Sequence, residues 1–386
     1  METNALYEQK KANLLKVFSR QEGDFVPNMI GASCATVAWT GQKVTDIIDD
    51  PDKYAKAMTD VFADMWADGT IFMASLFTPK LEKYFDPVQN KFGPDGVTPE
   101  HIQLAPMQPD EYELLIKDPD YYVNEVLVPR IYPRLYSDRE YAKTALKALA
   151  EDKFYCNVVL TSKVSQLMAE KYGIVDVCSF AKAIGNPLDT LFDMFRGFRG
   201  TLTDLRRRPK EVKAALEKIW ERDGIPRMAR PIDEAFPYAC QMPHIPAYLS
   251  PKQFEELYWP YEKQLFEYLA AGGTKCYVML EGRWKNVWHH FLDLPKDTCI
   301  LHVDDDDIFD AYKELGHHQI IMGGAKISDL RTGKIDELKD GVKKVIDTCA
   351  PGGAFVFATD KAWIAPGDVN QNLVDVFNFV HEYSKK

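Results

Sequence analysis

The stretches "CYVMLEGRW" (276–284) and "CILHVDDDD" (299–307) decide how this chain folds. Each opens as a short apolar run of the kind carried by a strand buried on both faces. The first stops on one carboxylate, Glu281, and the second carries His302 just before four consecutive aspartates. Buried strands one connection apart that both finish in proton-moving or metal-binding groups are the pattern of a parallel sheet with chemistry at its C-terminal edge.

Working outward, further apolar runs read as strands: "FVPNMI" (25–30), "TIFMAS" (70–75), "YCNVVL" (155–160), "EAFPYAC" (234–240), "QIIMGG" (319–324) and "AFVFAT" (354–359). Amphipathic segments lie between them. In "SPKQFEELYWPYEKQLFEYLAAGG" (250–273), Ser250 is an N-cap, Pro251 suits the first turn and Gly272–Gly273 ends the helix. Eight strands alternating with helices predict a (β/α)8 TIM barrel spanning 1–386 as one domain. A doubly wound sheet is the alternative, but no glycine-rich phosphate loop follows the first strand. The stretches 76–150 and 176–232 exceed simple connections and predict long, mostly helical excursions after the second and third strands.

A 46% hydrophobic and 27% charged composition fits a chain able to bury a large core. The net charge of −11 argues against attraction to nucleic acid or anionic membrane. No apolar run reaches the roughly 20 residues of a membrane span, and the start has no signal-peptide core, so a cytoplasmic protein is expected. Seven cysteines without a CxxC pair suggest buried free thiols, not a disulfide framework or a zinc knuckle.

Barrel enzymes carry their chemistry at strand C-terminal ends. Glu281, His302 and Asp304 fall there, as do Cys240, Gln241 and His244 after the fourth strand and Asp360 with Lys361 after the eighth. An imidazole beside a carboxylate has three readings: a metal site, a general acid–base pair, or a hydrogen-bonded pair closing the core. Among the aromatics, Trp284 and Trp288 have helical spacing and pack. Trp39, Tyr238 and Trp363 follow strands and are candidates to line a pocket for a flat ring. Glu267, late in its helix, falls at the opposite end of the barrel.

Over half of the chain resembles the uroporphyrinogen decarboxylase superfamily. "LSPKQFEELYWPYEKQLFEYL" is similar to its SPE-containing helix, and "IIMGGAKISDLRTGKIDEL" and "APGGAFVFATDKAWIAPGDVNQNLVDVFNFV" are similar to its closing strands and last helix. "GNPLDTLFDMFRGFRGTLTDLRRRPKEV" (185–212) resembles the segment after its third strand. Decarboxylases of the superfamily carry an arginine-rich "RQAGRY" near the first strand. Here the region reads "SRQEGDFVPNMIGASCATVAW", which disfavours a porphyrinogen substrate.

Thiol-methylating members bind zinc through His-x-Cys at the fifth strand and a Cys after the eighth. Those positions fall on Met279, Glu281 and near Ala362. The resemblance therefore implies zinc held by Glu281 and His302, with Asp360 as a third ligand. An oxygen and nitrogen set suits activation of an oxygen leaving group better than a thiol. The chain lacks a corrinoid-binding DxHxxG, so the resemblance implies a separate corrinoid protein as methyl acceptor. The expected protein is methyltransferase I of an anaerobic O-demethylase system, moving methyl from a methoxylated aromatic to cob(I)alamin on that partner. Trp39, Tyr238, Gln241, His244, Asp304 and Trp363 are its expected substrate-binding residues, with Glu281 and His302 catalytic. The alternatives are a metal-independent decarboxylase of a non-porphyrin acid and a non-catalytic barrel that binds the corrinoid protein.

Overall fold

Alternation of buried and helix-facing residues organises the chain into a helix-rich α/β structure built on parallel strands. The computed structural model describes residues 5–183, 185–224, 236 and 238–386. Its main strands are β1 (Met29–Ala32), β2 (Gly69–Met73), β3 (Cys178–Ala183), β4 (Tyr238–Gln241), β5 (Lys275–Leu280), β6 (Cys299–Val303), β7 (Ile320–Ala325) and β8 (Phe355–Thr359). Strands β3 to β8 form one sheet in sequence order, all parallel. In a second sheet β1 pairs with β2, and β2 pairs with the two-residue strand Val175–Asp176 that runs on into β3. At the other edge Asn28 bridges Phe357 and Ala32 bridges Trp363, so the start of the strand series touches its end.

Period-2 alternation separates two cores. One inner core gathers Met29, Ile71, Val175, Tyr238, Cys240, Tyr277, Met279, Ile300, Ile320, Met322, Val356 and Ala358, residues of every strand region. The intervening residues, such as Cys276, Val278 and Leu280, join the larger core beneath the helices with Phe254, Phe266, Trp284 and Phe291.

The helix Ala5–Phe18 closes the end where the strands begin. Leu14, Val17 and Phe18 enter the inner core, and Phe18 meets Phe236 and Tyr238 edge-on at 6.0 and 5.5 Å. Lys10 is buried and donates to the carbonyls of Ala67 (2.6 Å) and Tyr172 (3.0 Å), which fastens the helix there. The strands finish at the opposite end, where Glu281, Asp304 and Asp360 stand just past them.

The structure changes several expectations. "YCNVVL" (155–160) is helical, with Cys156 and Leu160 buried and Val158 exposed, one side in and one side out. The third strand is instead "CSFAKA" (178–183). The first strand starts at Met29 and the fourth at Tyr238; positions 234, 235 and 237 of "EAFPYAC" lie outside the described residues. The connection after β2 holds a small antiparallel hairpin (Asn90–Phe92 with Pro99–His101) and helices running to Tyr172, past the predicted end at 150. The connection after β3 is helical from Pro187 to Gly224, and 225–232 lie outside the described residues. Among the described residues, no helix is long and apolar enough to cross a membrane.

Candidate active site

The segment after β3 builds the first wall of the site. Asn186 caps the helix Pro187–Thr190 by accepting from Leu188 N at 3.0 Å, which sets Asp189 in its first turn. Asp189 is buried. Its Oδ1 accepts from the backbone N–H of His244 (2.9 Å) and Ile245 (3.0 Å), and its Oδ2 from the hydroxyl of Tyr258 (2.6 Å). One carboxylate thus ties the loop after β4 to the helix region before β5. Burial pushes its pKa up to about 6, against the pull of the Tyr258 bond.

With its backbone so held, the His244 imidazole donates from Nδ1 to Asp193 Oδ2 at 2.9 Å. Its Nε2 stands 3.8 Å from Glu281 Oε2, at the end of β5. The bond to Asp193 raises the His244 pKa to about 9; burial opposes this, and Glu281 and Asp189 add to it. At neutral pH the ring is an imidazolium with a proton on Nε2 facing a carboxylate. Burial raises Glu281 in turn, while His244 lowers it and Asp304 raises it further.

The aspartates after β6 divide their work. Asp307 caps the helix Ile308–Leu315, accepting from Phe309 N (2.9 Å) and Asp310 N (3.0 Å). Asp306 accepts from Trp284 N and from Lys285 N (3.1 Å), and so holds the loop that follows Glu281. Asp304 accepts from Gly282 N at 2.9 Å and lies 3.0 Å from the Lys361 ammonium beyond β8. Gly282 has φ of 77°, and a Cβ there would stand 2.7 Å from Ala247, so the tight turn after Glu281 requires glycine. Asp360 is committed through Oδ1 to Ile327 N at 3.0 Å, and burial raises its pKa. Beside these groups a cavity of about 410 Å³ opens between the ends of β6, β7 and β8 and the neighbouring helices, lined by Asp304, Asp305, Gly324, Lys326, Glu337 and Asp360.

His302 lies deeper, level with Met279 and Met322 on the adjoining strands. Its Nε2–H donates to Thr359 O at 2.6 Å, so in the neutral ring Nδ1 is the acceptor, taking the Tyr277 hydroxyl proton at 2.6 Å. Burial lowers its pKa to about 4, which keeps the ring neutral. Both nitrogens are therefore occupied, and no lone pair is free for a metal. Among the described residues, Glu281, His302 and Asp360 do not bring ligand atoms within 4.8 Å of one another. The residues present do not fit zinc as that set.

Of the expected substrate-binding residues, His244 and Asp304 reach the mouth. Gln241 does not: it is buried and donates to both Glu262 oxygens, at 2.7 Å to Oε2, away from the inner face. Tyr238 is the first residue of β4 and packs under Phe18 at the closed end. Trp363 is fully buried, with Nε1 on Thr359 Oγ1 (3.0 Å) and its ring 5.8 Å from Phe377. Trp39 is half-buried against the outer core. Lys361, expected at the end of the eighth strand, reaches the site through Asp304, and Asp189 and Asp193 join it without having been singled out for it. The four-residue spacing of Asp189 and Asp193 in "GNPLDTLFD" was the available signal, since it puts both carboxylates on one helix face.

Parallel strands with titratable groups at their C-terminal ends, an inner core and helices outside define an α/β protein whose site sits on the strand-end face. Residues 123–383 match the uroporphyrinogen decarboxylase (URO-D) family, and the chain belongs to that family. Over nearly its whole length it also resembles a solved structure of a methyltransferase from Methanosarcina mazei. The TM-score is 0.60 at 14% identity, over 97% of this chain and 98% of that one. No curated protein matches the sequence.

Proposed function

We propose that the chain is a methyltransferase whose eight strands close as a (β/α)8 barrel in a single domain. It takes a methyl group from a methoxylated aromatic and passes it to the reduced corrinoid of a separate protein. The family and the shared fold support the class of enzyme. The observation that carries the site is His244, held charged by Asp193 and facing Glu281 across 3.8 Å.

An ether oxygen leaves poorly unless its developing charge is met. In the proposed step the reduced corrinoid, as co-substrate, supplies the electron pair to the methyl carbon. The carbon–oxygen bond breaks, and the oxygen takes the proton from His244 Nε2. Asp193 holds the ring for that transfer, and Glu281 receives a proton afterwards to recharge it. Asp304 and Lys361 form the charged rim against which a polar ring substituent can bind. His302, with both nitrogens taken, has no part in this step.

The test mixes the protein with cob(I)alamin and methoxybenzenes and follows the methylcobalamin spectrum. His244→Gln is expected to lower the rate by about 100-fold, within the range of general acid catalysis. A decarboxylase would release carbon dioxide from an acid and form no methylcobalamin. A binding subunit would do neither. Full activity of H244Q would overturn the site assignment.

A further inference from the structure

We propose that Glu255, His289 and His290 form a second site, for a divalent transition metal of the zinc type, on the outer face of the protein. The cluster lies on other elements than the strand-end site and does not depend on the activity assigned there. Each residue offers one ligand atom, and the three atoms lie within 4.8 Å of one another. Glu255 is on the helix Pro251–Leu257, while His289 and His290 belong to the turn of helix Trp288–Asp293.

The His290 ring is wedged between Phe254 and Trp259, at centroid distances of 5.5 and 5.2 Å, with only 13% of its side chain exposed. Its Nε2 is buried without a hydrogen-bond partner. A buried imidazole nitrogen left alone is costly, and its environment should explain it. The nearest charged oxygen, Glu255 Oε1, is 3.7 Å away, too far for a hydrogen bond. That gap suits an ion placed between them, since zinc takes nitrogen and carboxylate oxygen at about 2.0–2.2 Å each.

On the far side of the ring, Asp293 Oδ2 lies 3.9 Å from Nδ1. A small closure there gives the carboxylate–imidazole arrangement that orients a metal-ligating histidine. The His289 ring stands 4.3 Å from that of His290 and is exposed, leaving further coordination positions to water. Two imidazoles and one carboxylate, with no thiolate, select zinc, cobalt(II) or nickel(II) over calcium or magnesium. A bound ion would tie the helix after β4 to the segment after β5, whose first residue is Glu281.

The experiment strips the full-length protein with a chelator and titrates it with Zn²⁺ in a calorimeter at neutral pH. The samples are the wild type, Glu255→Gln, the double variant His289→Ala/His290→Ala, and Glu281→Gln. The expected result is one equivalent bound by wild type and by E281Q, and weakened at least ~10-fold in the other two. Co²⁺ should give a visible ligand-field spectrum with wild type that E255Q, changed only at an exposed side chain, lacks. Equal Zn²⁺ binding by wild type, E255Q and the double variant would overturn the proposal, as would a wild type that binds none. Loss of binding in E281Q alone would place the metal at the strand ends and overturn it too.

Discussion

Asp193 Oδ2 lies 2.9 Å from His244 Nδ1, and the opposite nitrogen of the same ring faces Glu281 at 3.8 Å. A group whose pKa is raised by a partner is stabilising below its ordinary value and loses that contribution as pH rises through the raised value. For His244 this window runs from the ordinary 6.5 to about 9. If the imidazolium is the proton donor, kcat/KM should hold through neutral pH and fall above about pH 9. Asp193→Asn removes the charge that holds the proton, so the falling limb should move toward 6.5. An unchanged pH profile in D193N, with His244 titrated in parallel by NMR, would rule out this role for Asp193.

Glu281 should separate binding from chemistry. Its raised pKa comes first from burial, with His244 pulling down and Asp304 pushing up. Glu281→Gln keeps the shape and removes both the charge facing His244 and the proton acceptor. It should lower kcat by about 10- to 100-fold while KM changes little. Loss confined to KM would make Glu281 a substrate-binding group instead.

Half of this site could be read from the sequence. The runs at 276–280, 299–303, 319–324 and 354–359 are continuous and apolar, and all four are strands, which placed Glu281 and Asp304 at strand ends. The run 155–160 misled because six apolar residues fit a buried strand and one face of a helix equally well. The true third strand was hidden by Lys182 within it and by Asp176 in the segment leading to it. Parity could have corrected Gln241: Cys240 faces the inner core, so its neighbour points outward. Sequence position gave the strand of His302 but not its depth, and the claims of Tyr277 and Thr359 on its nitrogens are visible only in three dimensions.

His302 then makes a stability prediction. Its pKa is lowered to about 4 from an ordinary 6.5, so between those values the unfolded chain binds the extra proton and the folded chain does not. Stability should rise from about pH 4 to pH 6.5 on this account and be flat above. His302→Ala leaves a buried tyrosine hydroxyl and a carbonyl without partners and should destabilise by about 2–4 kcal/mol in urea unfolding. It should also remove that part of the pH dependence. A variant that unfolds at the wild-type midpoint but has lost a bound zinc would restore His302 as a ligand.

Trp363 offers a sharper contrast between packing and recognition. Its ring is fully buried and its Nε1–H is taken by Thr359 Oγ1 at 3.0 Å. Trp363→Phe keeps most of the apolar contact and loses that bond, so a loss of about 1–3 kcal/mol in stability is expected. KM across a panel of methoxybenzenes should stay the same. A ring-dependent change in KM would mean that substrate reaches Trp363.

The last prediction concerns Glu262, which is buried with Gln241 donating to it and whose pKa is pushed up to about 8 by burial, against the bonds from Gln241. The folded chain therefore holds a proton that the unfolded chain releases near 4.5. Between those values the folded state binds more protons, so stability should fall as pH rises from about 4.5 to about 8. Above that the native state carries a buried carboxylate with no cation paired to it among the residues that shift it. Glu262→Gln keeps the size and removes the charge. The variant should lose this pH slope and gain on the wild type above pH 8 by about 1–3 kcal/mol. Gln241→Leu should leave the carboxyl with one partner fewer and carry the fall on to higher pH, with methyl-transfer kinetics unchanged at neutral pH. Thermal unfolding of the three proteins from pH 5 to pH 9 decides it, and parallel curves would mean that Glu262 is already ionised in the folded protein.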